Sequence, residues 1–185
     1  MSIYRQYLES FLAELDIKAD TVIDIGGFQN PVRGRTKSWD VITYHVLDLP
    51  DYNIEVKSNN FLEYRLSADI VFCLEVFEYL IDPLQALSNI SLLLRTNPGN
   101  GRSKGKAYIS VPLVYPVHQE TDLDALRYTE NGFKRLCSAV ELKCRVAQYR
   151  RDKSGLLQAF YSADGMHPAK GIDHSVYGYI FEVTK

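Results

Sequence analysis

Val22-Ile23-Asp24-Ile25-Gly26-Gly27, followed by Tyr44-His45-Val46-Leu47-Asp48, is the stretch that decides the fold of this chain. A short apolar run ending in an acid and two glycines has the pattern of a buried parallel strand that turns sharply, and a second run ends in another acid about twenty residues later. This is the layout of a doubly wound nucleotide site. Glycine lets the backbone approach a ligand with no Cβ in between, and a carboxylate at the tip of the next strand can accept hydrogen bonds from both hydroxyls of a ribose. The pairing points to a ligand that contains adenosine.

The glycines separate two such ligands. A dinucleotide site carries Gly-x-Gly-x-x-Gly running into a long helix whose N-terminus faces a pyrophosphate. Here Phe28-Gln29-Asn30-Pro31 and Val32-Arg33-Gly34-Arg35-Thr36-Lys37 follow instead, with breakers at Pro31 and Gly34 and no helical stripe. This argues against a pyrophosphate cradle and a nicotinamide dehydrogenase.

The remaining pattern resembles the class I S-adenosylmethionine (SAM)-dependent methyltransferases, in particular the type 11-like group with a Glu-Val-Leu-Glu-His motif. Ile23 to Gly27 is similar to their first motif, Asp48 to the ribose-binding acid, and Asp69-Ile70-Val71-Phe72-Cys73-Leu74-Glu75-Val76-Phe77-Glu78-Tyr79-Leu80 to the fourth strand and its exit. Asp82-Pro83, Tyr115-Pro116-Val117-His118, Asp124, Arg127, Tyr128 and Thr129 extend the match, so that it covers roughly Thr21 to Cys137. Phe28 and Asn30 stand where the group has glycine, and Tyr79 where it has histidine. The resemblance implies an α/β, Rossmann-like doubly wound sheet, mostly parallel with an antiparallel last strand and helices on both faces. It also implies SAM as cofactor and S-adenosylhomocysteine as product.

Composition sets the frame. A chain of 185 residues with 46% hydrophobic content is expected to form one domain over 1–185 with an ample core. A net charge of −2 provides no general attraction to nucleic acid or anionic membrane. The N-terminus lacks the layout of a secretory signal, and no apolar run approaches the roughly 20 residues that span a bilayer. A soluble, cytoplasmic protein is the expectation. Cys73, Cys137 and Cys144 have no tight ligand spacing and are read as free thiols, so no metal site is expected.

Along the chain, Ile3, Tyr4, Tyr7, Leu8, Phe11, Leu12 and Leu15 predict an N-terminal helix within 1–16, with Ser2 as a possible N-cap, packed on the sheet or over the cofactor. Strands are predicted at Thr21 to Ile25, Ile42 to Leu47, Ile54 to Val56, Ile70 to Leu74 and Tyr108 to Val111, and two late ones, Leu142 to Tyr149 and Val176 to Val183, as an antiparallel pair. Helices are predicted from about Pro83 to Leu94, on a stripe of Leu84, Leu87, Ile90, Leu93 and Leu94, and over Thr129 to Val140. Asn97 to Gly105 reads as an exposed loop, and 150–175 as a segment that can cover a substrate.

Candidate site residues follow from the chemistry. A sulfonium already activates its methyl group, so transfer needs a nucleophile held close and aligned more than it needs a strong catalyst. Asp48 is expected on the ribose hydroxyls or capping the turn into Leu49-Pro50-Asp51. Gly26 and Gly27 form the loop beside the ligand, and Asp24 either faces the ligand or ties that loop down through backbone amides. By the resemblance, Asn60 and Phe61 fall beside the adenine, although an Asn-Asn pair is also ordinary turn chemistry. Leu74 and Glu75 leave the fourth strand where open α/β sheets bind ligands, with Glu75 near the methionine part. Glu78 and Tyr79 read as a polar helical start. On the acceptor side His118 is either a general base or a brace for its loop. Asp124, Arg127 and Tyr128 either contact the substrate or brace the same segment.

The acceptor is read as a small molecule or a glycan-linked group. A nucleic-acid methyltransferase is the weaker alternative, because no Asn-Pro-Pro-Tyr type motif or Pro-Cys nucleophile is present. Arg33, Arg35, Lys37, Arg150, Arg151 and Lys153 read as solvated surface charge. A non-catalytic SAM-binding protein is the second alternative.

Overall fold

The computed structural model describes residues 3–56, 63–65, 67–96, 104–115, 123–155, 157 and 175–185. Helix α1 (Ile3–Glu14) leads into β1 (Asp16–Ile25) and β2 (Ser38–Leu47), then β3 (Ile70–Leu74), α2 (Pro83–Leu93), β4 (Lys106–Pro112), α3 (Glu130–Ala139), β5 (Lys143–Arg151) and β6 (Val176–Thr184). The strands form a six-stranded sheet in the order β2-β1-β3-β4-β6-β5. The first four in that order run parallel, and β6 is antiparallel to both β4 and β5.

Each face of the sheet has its own core. Leu8, Phe11 and Leu12 of α1 pack on Val22, Ile70, Phe72, Tyr108 and Ile180. On the other face α2 and α3 cover Ile23, Val71, Cys73, Ile109 and Phe181 through Leu87, Ile90, Leu93, Phe133 and Cys137. Central β3 is buried along nearly its whole length, which accounts for its unbroken apolar sequence. The doubly wound arrangement read from the sequence is therefore present.

Local chemistry sets the element ends. Asp82 caps α2 by accepting from the Gln85 amide, with Pro83 in the first turn, where its missing N–H costs nothing. Thr129 caps α3 through the Gly132 amide. At the N-terminal edge of the sheet the Asp69 carboxylate accepts from the Asp20 and Thr21 amides and pairs with Arg95 at 2.8 Å, which locks β3 beside β1.

Four expectations need correction. Ile54 to Val56 is a turn, not a strand: Ile54 is buried, but its carbonyl and that of Val56 are taken by the Asn89 side chain of α2 instead of a neighbouring strand. β1 and β2 both start earlier than predicted, because Asp16 to Ala19 pairs with Ser38 to Val41 as a ribbon of alternating polar and apolar residues without an apolar run. Leu84 lies outside the α2 stripe at 40% exposure, and the buried positions are Ala86, Leu87, Asn89, Ile90 and Leu93. Arg150 is not surface charge: it is 0% exposed. The three cysteines are free, two of them buried and Cys144 half-buried. Ser2 and most of the 97–105 and 150–175 segments lie outside the described residues.

Candidate functional site

The C-terminal ends of β1, β2 and β3 converge on one edge of the sheet, where Asp24, Gly26, Gly27, Asp48, Leu74 and Glu75 lie. Gly26 follows β1 with φ +74°, and its amide donates to the Leu47 carbonyl at the end of β2. A Cβ at Gly26 would stand 2.5 Å from Cγ2 of Val76, and one at Gly27 would stand 2.4 Å from the Asp24 carboxyl carbon. Both positions need glycine for the close approach itself, the first also for its backbone angle.

Two carboxylates hold this loop. Asp24 is buried and accepts from the Val32 amide and the Tyr44 hydroxyl, so it ties the loop to its return and to β2. Burial pushes its carboxyl up to about 6, against the opposing hydrogen bonds. Asp48, at the tip of β2, accepts from the Phe28 amide at 3.0 Å and from the Leu49 amide at 2.8 Å. It thus caps its own turn and also binds the glycine loop, while remaining half-exposed at the sheet edge. Phe28, in the place of a family glycine, is 79% exposed, so its ring does not fill the loop.

The end of β3 is built differently. Glu75 takes a left-handed backbone, φ +58°, which disfavours a residue with a Cβ. Ser110 of β4 stabilises it by accepting from the Glu75 amide at 2.8 Å and donating to the Glu75 carboxylate at 2.5 Å. Arg150 of β5 adds an ion pair to the same carboxylate oxygen at 2.8 Å. The Glu75 side chain stays 29% exposed. Leu74 precedes it, half-buried at the strand end.

Glu78 and Tyr79 belong to a single 3-10 turn, Phe77–Tyr79, and Glu78 is no polar helix start. It is 2% exposed, and its Oε2 has no hydrogen-bond partner. Burial, then the neighbouring Glu75 charge, pushes its carboxyl well above the ordinary carboxylate range. The 124–128 segment closes over this turn: the Ala125 and Leu126 amides donate to the Glu78 carbonyl, and the Tyr128 hydroxyl donates to the Phe77 carbonyl at 2.8 Å. Arg127 grips the buried Asp124 carboxylate with two nitrogens and donates to the Tyr115 carbonyl. Asp124, Arg127 and Tyr128 thus brace the segment.

Asn60, Phe61 and His118 lie outside the described residues. Among the described residues no group of three or more His, Cys, Asp or Glu is placed to hold a metal ion, and no helix is long and apolar enough to cross a membrane. Sequence reasoning passed over Ser110, Arg150 and Tyr44. Ser110 sat in an apolar run, and Arg150 in a basic run that resembled surface charge; the signal available for Arg150 was Gly178, an isolated glycine within a strand pattern.

No known family profile matches the chain, and no curated protein sequence matches it. Solved structures do. The partner of the Trm112 methyltransferase activator from Haloferax volcanii, itself described as a methyltransferase, superposes with a TM-score of 0.60 at 15% identity, over 98% of this chain and 88% of that one. The CurJ carbon methyltransferase superposes with a TM-score of 0.61 at 9% identity over 90% of this chain, which spans 48% of that protein. The Burkholderia thailandensis 1,6-didemethyltoxoflavin N1-methyltransferase, solved with its substrate and S-adenosylhomocysteine, reaches 0.56 at 12% identity, over 98% and 76% of the two chains. The chain has the Rossmann-like fold of the methyltransferases.

Proposed function

We propose that this protein is a SAM-dependent methyltransferase acting on a small-molecule or glycan-linked acceptor. The observation that carries the reading is the joint construction of the glycine loop and Asp48. A loop that tolerates no Cβ at two successive positions is bonded directly to a carboxylate at the tip of the adjacent strand. A nucleoside laid along that edge meets a loop folded tightly on the strand ends on one side and a ribose acceptor on the other.

Gly26 and Gly27 let the loop fold tightly against Val76 and Asp24, Asp24 holds the loop in place, and Asp48 accepts from the ribose hydroxyls. Glu75 faces the methionine end, where its carboxylate receives the ammonium group, and Leu74 lines the floor beside it. Asn60 and Phe61 belong at the adenine. When bound, SAM supplies a sulfonium-activated methyl group that an aligned nucleophile takes by in-line displacement. The protein's contribution is then alignment and exclusion of water. The turn at Phe77–Tyr79 and the 124–128 segment form the wall on the acceptor side, with His118 as the candidate base for an acceptor that must lose a proton.

Calorimetry with SAM, S-adenosylhomocysteine and NAD tests the reading. The first two bind to wild type, and Asp48→Ala weakens them about ten- to a hundredfold through loss of a charged acceptor. NAD binds no better than adenosine. Unchanged SAM affinity in Asp48→Ala removes Asp48 from the site, and binding without methyl transfer to any acceptor leaves a SAM-binding protein in place of an enzyme.

A further inference from the structure

Arg150 has no place in any motif, yet it is the largest fully buried side chain among the described residues, and its charge lies on the candidate site. Sheet register shows how it gets there. On β6, Gly178 pairs with Arg150 of β5 on one side and with Pro112 of β4 on the other. Directly paired residues project to the same face, and Ser110, two residues before Pro112, shares that face as well. Ser110 in turn pairs with Leu74, the residue before Glu75. From β5 to β3 is three strand spacings, roughly 14 Å. Only a long side chain at each end closes that span, and it must run over β6 where no Cβ projects.

We propose that Arg150 is a positioning residue for methyl transfer, reaching across β6 over Gly178 to hold the Glu75 carboxylate toward the methionine end of SAM. This rests on the reading of Glu75 as a SAM contact. A purely structural ion pair is the competing account, and its energetics are poor. Burying a guanidinium carries a desolvation cost that its partner repays only in part, and the carboxylate it meets sits on a disfavoured left-handed backbone. The arrangement fixes three things at once: the backbone of Glu75 through Ser110, the carboxylate through Ser110 and Arg150, and its direction along the exposed strand end. The Arg150 charge also acts on the buried Glu78 in the opposite sense to the Glu75 charge.

The test is SAM and S-adenosylhomocysteine titration of the full chain carrying Glu75→Gln, Arg150→Met, Arg150→Lys, Gly178→Val and the double variant Glu75→Gln/Arg150→Met, with a thermal melt of each. Glu75→Gln and Arg150→Met each weaken SAM about tenfold, and the double variant loses no more than either alone, because Arg150 acts through Glu75. Arg150→Lys, which keeps the charge, recovers part of the loss. Gly178→Val reproduces the Arg150→Met loss with the guanidinium still in the chain. Additive losses in the double variant, near a hundredfold, make Arg150 a structural residue and overturn the proposal. Should Arg150→Met not fold, the lysine and Gly178 variants decide: wild-type affinity in Gly178→Val overturns it. Failure of wild type to bind SAM overturns the proposed function as well, and an unaltered Glu75→Gln removes Glu75 from the cofactor. A weakened Glu75→Gln beside unaltered Arg150 variants overturns the role of Arg150 alone.

Discussion

The ends of β1 and β3 lie side by side on one sheet edge, and they are assembled from opposite kinds of contact. At β1 the hydrogen-bond partners come from one stretch: Asp24 reaches Val32 and Tyr44, Asp48 reaches Phe28, and Gly26 reaches Leu47 at the end of the next strand. At β3, Glu75 is held by Ser110, 35 residues on, and by Arg150, 75 residues on. The first end is a local device that a strand-loop-strand segment carries by itself. The second exists only after β5 and β6 have docked. A local device shows up as a motif, whereas a docked one shows up as unrelated polar residues inside apolar strands.

The sharpest way to break this contrast is at the local device. In Gly27→Ala the new methyl would overlap the Asp24 carboxylate, which is pinned by two hydrogen bonds and cannot swing away cheaply. Overpacking of this kind costs about 1–3 kcal/mol of stability, and a loop displaced by about an ångström weakens SAM and loses about a hundredfold in the rate of methyl transfer. A denaturant melt and a SAM titration check both. Full affinity in this variant would mean that the loop does not touch the cofactor.

A smaller effect concerns how that loop is held, and pH reads it out. Burial raises the Asp24 carboxyl in the folded protein to about 6 from the ordinary 3.8. A raised acid binds its proton more tightly folded than unfolded, so its contribution favours the fold at low pH and is lost as pH rises from about 4 through about 6. The whole swing is about 3 kcal/mol. Asp24→Asn, which has no charge to bury, therefore gains on wild type across that window by up to about this amount. Urea melts at pH 4.5 and 7 measure the difference, and a gap that stays constant places the Asp24 charge in contact with solvent.

How much could be read in the chain divides along the same line. Gly26, Gly27 and Asp48 stand out because the strand-loop-strand unit that holds them is written in spacing along one stretch. The α1 stripe and the late antiparallel pair were legible because burial imposes a period. Ile54 to Val56 misled because two β-branched residues alternating with Glu55 fit a strand and a turn equally well, and only Asn89, over thirty residues away, shows where the carbonyls bond. Arg150 misled for the converse reason: charge usually means solvent, and its burial depends on a glycine in the next strand and a glutamate three strands away. Glu78 resembled a helix start until the 124–128 segment was seen to close over it.

The smallest expected effect separates bracing from substrate contact at Tyr128. Its hydroxyl donates to the Phe77 carbonyl, and its ring packs edge-on against Phe77 and Phe133, 6.2 and 5.6 Å between centroids, so the residue is spent on joining the 124–128 segment to the turn after β3. Tyr128→Phe keeps the ring and removes one hydroxyl, leaving the Phe77 carbonyl without that donor. A lost buried hydrogen bond of this type costs about 1–2 kcal/mol of stability. Because Phe77 and Glu78 lie on the turn that follows Glu75, SAM affinity drops by no more than about threefold if the rest of the turn holds, and the change in melting accounts for the variant. A large loss of affinity or turnover without a change in stability would move Tyr128 from the brace to the substrate, and would make the acceptor wall, like the end of β1, a place where single side chains do the binding.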